Sequence, residues 1–141
     1  HDVGKLGVSN TILDKPGKLD DDEWLSVQQH AQFTKDILSQ ITPFKNLSNM
    51  AGSHHEKLDG TGYPNKLSAE SIVLSTRIIT TADIFDAITA ERPYRGAVPV
   101  PKTLDIMSEN LNTAIDPECF EALKRALDKL PEELTTLDSA V

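Results

Sequence analysis

Apolar residues recur at three- and four-residue steps along most of the chain, which is the period of an amphipathic α-helix. The clearest stripe follows an acidic run at positions 20–23 and comprises Trp24, Val27, Ala31, Thr34, Leu38 and Ile41. The acids supply an N-cap and offset the helix dipole in the first turn. His30 lies one position off this stripe, so we expect it at the edge of the buried face.

A second stripe brings a histidine onto an apolar face. Pro43 suits the first turn of a helix. Leu47, Met50, Ala51 and His54 then fall at positions i, i+3, i+4 and i+7. Because these positions share one helix face, His54 is predicted to point inward, and the glycine-rich stretch after it ends the helix.

Three more helices are predicted in the second half of the chain. Residues 68–70 offer a cap for a helix from Ile72 to about Ala90, followed by helices at about Pro101–Leu111 and Asp116–Leu130. The opening residues are predicted to end a helix, with a loop up to residue 17. No repeat and no alternating strand pattern occurs in the sequence. We therefore predict an all-α domain at residues 1–130 and a C-terminal tail at 131–141.

Charge and cysteine content narrow the class of protein. The net charge of −8 at pH 7 argues against binding of a nucleic-acid polymer, which needs a basic face. It leaves a phosphate substrate open, because metal ions can supply a local positive field. The single cysteine, Cys119, is compatible with a reducing compartment and suits a buried position better than a nucleophilic one.

No apolar run reaches the length of a membrane span, and no secretory leader opens the chain. We therefore expect a cytoplasmic protein without membrane contact from this segment. The first residue is a histidine, and we expect the chain to begin inside a larger protein.

The stretch at residues 54–64 carries the strongest chemical signal. Two adjacent histidines and an acid precede a loop with two glycines, a tyrosine and a proline. Adjacent imidazoles on one helical turn point about 100° apart, so they are poorly placed to share one ion. Each can instead ligate a different metal of a close pair, which lie about 3.5–4 Å apart in two-metal hydrolases. The stretch thus predicts a metal site.

Asp83 and Asp86 lie on the same side of the helix predicted from Ile72 to about Ala90 as two isoleucines. Carboxylates on a partly apolar face are costly to bury without a partner, and a neighbouring cation would remove that cost. Asp83 can alternatively form a salt bridge, and Asp86 can be a cap or packing acid. We favour Asp83 as a ligand and Asp86 as a group that orients ligands.

Each of the four histidines, taken alone, suits a structural or surface role better than a metal ligand. Together with the acids they form a ligand set suited to Fe, Mn, Zn or Ni. Lys5, Arg92 and Arg95 can be solvated cations, but beside a metal cluster they suit phosphate binding. Tyr63 can pack against its own loop or stack on a base.

With these motifs in view, the chain resembles the HD-GYP family of bacterial phosphodiesterases, a branch of the HD-domain phosphohydrolases. The resemblance runs from His1 to about Leu127. It rests on the opening His1-Asp2-Val3-Gly4-Lys5, the string at 54–64 with its Gly-Tyr-Pro, residues 82–87 followed by 92–95, and Ile115-Asp116-Pro117. It implies an HD-domain helical bundle that lacks its N-terminal helices here.

The resemblance also implies roles for individual residues. Metal ligation falls to His1, Asp2, His30, His54, His55 and Asp83, with Asp2 bridging two metals and acting in catalysis. Lys5 lies near the scissile phosphate, and Arg92 and Arg95 match positions that hold the dinucleotide, with Tyr63 also on the substrate side. The implied cofactors are two or three divalent ions, foremost Fe or Mn, with Mg, Ni or Zn as further choices.

The implied activity is metal-assisted hydrolysis of cyclic di-GMP to pGpG, and onward to GMP in some members, in bacterial second-messenger signalling. Two alternatives stay open: a non-catalytic module that senses cyclic dinucleotides or docks a partner, and an HD hydrolase of another cyclic nucleotide such as cyclic GMP-AMP. A homodimer or a GGDEF-type protein is the expected partner, and a sensory or receiver domain is expected upstream. Without upstream helices, which carry further ligands in the family, we expect this chain alone to be poorly active.

Overall fold

The computed structural model describes residues 1–91 and 96–129. Helices joined by turns and loops form this part of the chain, as the apolar periodicity predicted. The α-helices are Asn10–Leu13 (α1), Asp21–Ser39 (α2), Ser48–Gly52 (α3), Leu74–Thr89 (α4), Val100–Ser108 (α5) and Pro117–Leu127 (α6). Short 3-10 helices occupy Val3–Gly7, Thr42–Leu47 and Ala69–Ser71. These residues form isolated β-bridges but no strand, so the all-α prediction is confirmed.

Two helix starts follow the predicted signals. Asp20 accepts a hydrogen bond from the backbone N–H of Glu23, and the Glu23 carboxylate accepts one from the backbone N–H of Asp20, which completes a capping box. Asp116 caps α6 by accepting the backbone N–H groups of Glu118 and Cys119. Cys119 is buried, as predicted.

The buried face of α2 differs from the predicted stripe. The helix packs on Val3–Gly7 and on α3, and these contacts bury His30, Ala31 and Thr34. His30, predicted at the edge of that face, is only 1% exposed, whereas Trp24 is 48% exposed. Periodicity identifies the face of a helix, but the neighbours decide which part of that face is covered.

The helix predicted from Pro43 through His54 is shorter and later than expected. Residues Thr42–Leu47 form a 3-10 helix and only Ser48–Gly52 are α-helical, so His54 follows the helix in a turn. Serine, asparagine and glycine are weak helix formers. The Gly52 backbone lies so close to α2 that an added Cβ would stand 3.0 Å from the Ala31 carbonyl oxygen.

The start of the chain also differs from its prediction. The opening residues were expected to form the end of a helix, but a 3-10 helix begins there, at Val3–Gly7. The segment predicted as a loop contains α1. Gly4 is not a cap, because its backbone lies against α2. A Cβ at that position would stand 1.9 Å from the His30 carbonyl oxygen.

The second half of the chain supplies the main apolar core. Met107, Ile115 and Phe120 form its buried centre. Partly buried side chains from α4, α5, α6 and the connection after α5 pack around it: Ile84, Phe85, Ile88, Leu104, Leu111, Ala114 and Leu123. None of the described helices is long and apolar enough to cross a membrane. The predicted tail at 131–141 lies outside the described residues.

Candidate metal centre

Four separate parts of the fold meet at one cluster of imidazoles and carboxylates. His1 and Asp2 precede the 3-10 helix Val3–Gly7, and His30 lies on α2. His54 and His55 occupy the turn after α3, and Asp83 lies on α4. The structure therefore brings together the six residues predicted as ligands.

The ligand atoms form two groups that each lie within 4.8 Å. The first group is His30, His54 and His55, in which the Nε2 atoms of His30 and His55 are 3.2 Å apart. The second is His1, His54 and Asp83, in which the His1 Nε2 atom lies 3.3 Å from the Asp83 Oδ1 atom. His54 belongs to both groups.

The two adjacent histidines are closer to each other than the helical geometry predicted. Their ring centroids are 4.0 Å apart, and both rings belong to the first group. This grouping contradicts the expectation that they are poorly placed to share a single ion. Its premise was a helical turn, whereas the turn that follows Gly52 directs both rings to the same side.

Asp2 lies between the two groups. Its Oδ1 atom is 3.4 Å from the Nε2 atom of His30 and 3.7 Å from that of His54, and its Oδ2 atom is 3.9 Å from that of His1. Burial opposes ionisation of this carboxyl, but the hydrogen bond and charge of Lys5, with His30 and His54, hold its pKa below the usual value. The carboxylate form is therefore the one present at neutral pH.

Backbone carbonyls fix the orientation of two imidazoles. The Nδ1 atoms of His30 and His54 lie 2.5 Å and 2.6 Å from the carbonyl oxygens of Val27 and Ala51. A ring nitrogen in that position donates its proton, so the Nε2 lone pair of each ring points into the cluster. The Nε2 atom of His54 is buried and has no hydrogen-bond partner among the described residues.

Burial keeps the adjacent histidines neutral. It lowers the pKa of His54, and it lowers that of His55 to about 3, with the neighbouring His54 and His30 adding to the effect. Neutral imidazole is the form that binds metal ions. The orphaned Nε2 atom of His54, the neutral rings and the intervening carboxylate therefore fit a divalent metal ion.

Two threonines support the cluster, and the sequence analysis assigned neither of them a role in it. The Thr34 hydroxyl accepts the Gly4 backbone N–H at 2.9 Å and donates to the His1 carbonyl oxygen at 2.8 Å. The Thr80 hydroxyl donates to the His54 carbonyl oxygen at 2.7 Å. For Thr34, the sequence contained one indication of such a role, namely a hydroxyl on the otherwise apolar stripe of α2.

Tyr63 packs on the cluster. Its ring stacks on the His55 ring at 4.8 Å between centroids and 28° between planes. Its backbone N–H donates to the His55 carbonyl oxygen. Burial raises the pKa of Tyr63, and the charges of Asp83 and Asp2 add to this, so the phenol stays protonated. Of the two roles left open for Tyr63, the structure contains the packing contact.

Glu56 shapes the loop that carries Tyr63. Its side chain is only 2% exposed. The two carboxylate oxygens accept backbone N–H groups from across the loop, at 2.6 Å from Asn65 and 2.8 Å from Leu67. This carboxylate thereby ties the far side of the loop to the residue that follows His55.

We expect Glu56→Ala to lower the free energy of unfolding by about 3 kcal/mol, because it removes a buried carboxylate that accepts two backbone hydrogen bonds. Urea denaturation measures this change. Glu109→Ala is the matched control, because Glu109 is exposed and its side chain has no hydrogen bond in the described structure. A loss for Glu56→Ala no larger than that of the control would show that the loop does not depend on this carboxylate.

The other candidate residues lie at the edge of the cluster or outside the described residues. Lys5 is exposed, and its Nζ atom donates to the Asp2 carboxylate. Asp86 is also exposed, and no hydrogen bond or ion pair joins it to the described cluster residues, so the expectation that it orients ligands finds no contact. Arg92 and Arg95 lie outside the described residues.

Two features identify the class of protein: the helical fold, and a cluster of imidazoles and carboxylates that includes the adjacent His1 and Asp2. The family model described as "HD domain" matches residues 1–119. The chain belongs to the HD-domain family, as the resemblance predicted.

Curated relatives come from several bacteria. The chain is 67% identical over 137 residues to 3'3'-cGAMP-specific phosphodiesterase 3 of Vibrio cholerae, covering 97% of this chain and 30% of that protein. It is 39% identical over 126 residues to 3'3'-cGAMP-specific phosphodiesterase 1 of the same organism, covering 89% and 29%. The cyclic di-GMP phosphodiesterase response regulator RpfG of Xanthomonas campestris is 36% identical over 134 residues, covering 94% and 35%. These names are consistent with the HD-GYP branch.

The chain spans about a third of the length of these relatives. A crystal structure of a cyclic GMP-AMP specific phosphodiesterase from V. cholerae aligns with 94% of this chain and 29% of its own, at 61% identity and a TM-score of 0.49.

Proposed function

We propose that this chain forms the centre of a metal-dependent phosphodiesterase that hydrolyses a 3'3'-linked cyclic dinucleotide. The observation that carries the proposal is the cluster of four imidazoles and two carboxylates around an orphaned, buried Nε2 atom of His54. The relatives of the chain are phosphodiesterases by name, which favours hydrolysis over sensing alone.

In this proposal the cluster holds two or three divalent ions, with Fe or Mn as the first choices. The ligands are His1, Asp2, His30, His54, His55 and Asp83. Bound ions of this kind lower the pKa of water and offset negative charge on phosphoryl oxygens. The protein's own part is to keep the rings of His54 and His55 neutral and to orient those of His30 and His54 through hydrogen bonds to backbone carbonyls.

Lys5 provides a cation at the edge of the cluster. Its Nζ atom lies beside the Asp2 carboxylate, where it can donate to a phosphoryl oxygen as negative charge develops there. We assign the binding of the dinucleotide to Arg92, Arg95 and Tyr63, of which Tyr63 lies against His55. Arginine forks match phosphate oxygens, so the arginines contribute mainly orientation.

The favoured substrate is 3'3'-cGAMP. The family resemblance implied cyclic di-GMP as the substrate, with cyclic GMP-AMP as an alternative. A 67% identical relative is named for 3'3'-cGAMP, whereas relatives named for cyclic di-GMP are 35–38% identical. This difference in identity supports the alternative, with cyclic di-GMP as a poorer substrate.

A competition assay tests both parts of the proposal. The full-length protein, loaded with Mn²⁺, is given equal concentrations of 3'3'-cGAMP and cyclic di-GMP, and the linear products are separated by chromatography. We expect 3'3'-cGAMP to be consumed at least about tenfold faster, which corresponds to about 1.4 kcal/mol in the transition state. Equal or faster loss of cyclic di-GMP would overturn the substrate assignment. No metal-dependent loss of either would overturn the hydrolase assignment.

A further inference from the structure

A cavity beside the metal centre has no part in the proposed chemistry. Its volume is about 790 Å³, within the range of roughly 300–1,000 Å³ that is usual for small-molecule sites. It lies between the loop before α2 and the first turns of that helix. The lining combines apolar side chains with three lysines: Lys5, Ile12, Leu13, Lys15, Gly17, Lys18, Leu19, Trp24 and Val27.

Lys5 connects this cavity to the metal centre. The residue lines the cavity, and its Nζ atom donates to the Asp2 carboxylate. Asp2 in turn lies within 4 Å of three of the cluster imidazoles. A phosphate held at Lys5 would therefore lie at the edge of both the metal centre and the cavity.

The charge of the lining differs from that of the whole chain. The chain carries a net charge of −8, yet the described lining contains three lysines and no carboxylate. Lys5 is paired with Asp2, and Lys15 is paired with Glu23 at 2.6 Å. Lys18 is exposed and has no ion-pair partner among the described residues. It is the lysine of this lining that is available to an anionic ligand.

Trp24 provides an aromatic surface in the same cavity. Its side chain is 48% exposed although it lies on the predicted buried stripe of α2. The capping box of Asp20 and Glu23 fixes the turn on which it stands. An exposed indole on a rigid helix start is a stacking surface for a nucleobase.

We propose that this cavity is a nucleoside subsite of the metal centre. One purine of the cyclic dinucleotide stacks on Trp24, and Lys18 binds the phosphate that is not at Lys5. This assignment rests on the proposed function and adds a substrate-binding site to it. Neither Trp24 nor Lys18 belongs to the motifs on which the family resemblance rests.

The test is a binding titration with a bisphosphorothioate analogue of 3'3'-cGAMP, which resists hydrolysis. Trp24 is the single tryptophan of the chain, so its fluorescence reports on this cavity alone. We expect saturable quenching by the analogue. Inorganic phosphate at the same concentrations lacks a base and is expected to leave the fluorescence unchanged.

Calorimetry on variants separates stacking from charge. We expect Trp24→Ala to weaken binding of the analogue by about tenfold, because stacking on an aromatic side chain is worth that much or more. Trp24→Phe keeps an aromatic ring and is expected to stay within about threefold of the parent. Lys18→Gln is expected to weaken binding by about tenfold, because it removes a charged donor.

Lys102→Gln is the matched control, because Lys102 is exposed on α5 and does not line the cavity. Two results would together overturn the subsite. The analogue would bind without a change in fluorescence, and Trp24→Ala and Lys18→Gln would bind it as tightly as the control does. Hydrolysis of 3'3'-cGAMP in that case would leave the proposed function standing. Quenching by the analogue without any hydrolysis of 3'3'-cGAMP by the full-length protein would instead support the subsite and overturn the hydrolase assignment.

Discussion

Replacement of Asp2 by asparagine is expected to remove most of the divalent metal from the protein and to abolish phosphodiester hydrolysis. The asparagine side chain keeps the size of aspartate but loses the charge that faces three imidazoles and Lys5. Loss of a group that merely orients a ligand costs about 10- to 100-fold in metal affinity. Loss of a carboxylate between two donor groups should therefore cost at least about 100-fold.

Elemental analysis after dialysis measures the metal content, and turnover of 3'3'-cGAMP measures the activity. Asp105→Asn is the matched control, since Asp105 is an exposed acid on α5 without a side-chain hydrogen bond in the described structure. If Asp2→Asn retains the metal content and turnover of the control, the assignment of Asp2 as a ligand is wrong.

A large loss of stability is expected from Gly4→Ala. An added Cβ at Gly4 would stand 1.9 Å from the His30 carbonyl oxygen and 2.4 Å from the Thr34 backbone nitrogen. Both atoms belong to the backbone of α2, so a side-chain rotation cannot relieve the clash. Overpacking of this kind costs about 1–3 kcal/mol and occasionally more, and we expect about 3 kcal/mol from urea denaturation.

Gly96→Ala supplies the control for this experiment, because a Cβ at Gly96 would meet no atom within 4 Å. The Gly4→Ala protein is also expected to bind less metal, since separation of the Val3–Gly7 helix from α2 moves Asp2 away from His30. A free energy of unfolding within about 0.5 kcal/mol of the control, the usual range for surface substitutions, would contradict the proposed contact.

The sequence predicted the helices that have strong local signals. The capping box at Asp20 and the Asp-Pro start at Asp116 determine helix starts through nearby atoms, so they are visible in the sequence alone. The position of His54 after α3 depends instead on how closely Gly52 approaches α2. That contact joins residues far apart in sequence, and periodicity contains no information about it.

The candidate site, like the fold, could be predicted from the sequence only in part. The residue types and motifs predicted which side chains belong together, and the structure brings all six of them into one cluster. The division of these side chains into two donor groups could not be predicted from the sequence, because it depends on distances of a few ångströms between α2, α4 and the turn after α3. Glu56 was part of the motif, but its function is to hold backbone N–H groups nine and eleven residues later, and composition cannot reveal such a contact.

The membership of His54 in both donor groups limits the stoichiometry of the centre. One imidazole Nε2 atom has a single lone pair, so it can complete the coordination of only one ion. An ion bound through His54 would leave a second ion to the remaining donors, with an oxygen of Asp2 within reach. Two ions at this centre would therefore have different donors, and we expect one of them to exchange more readily than the other.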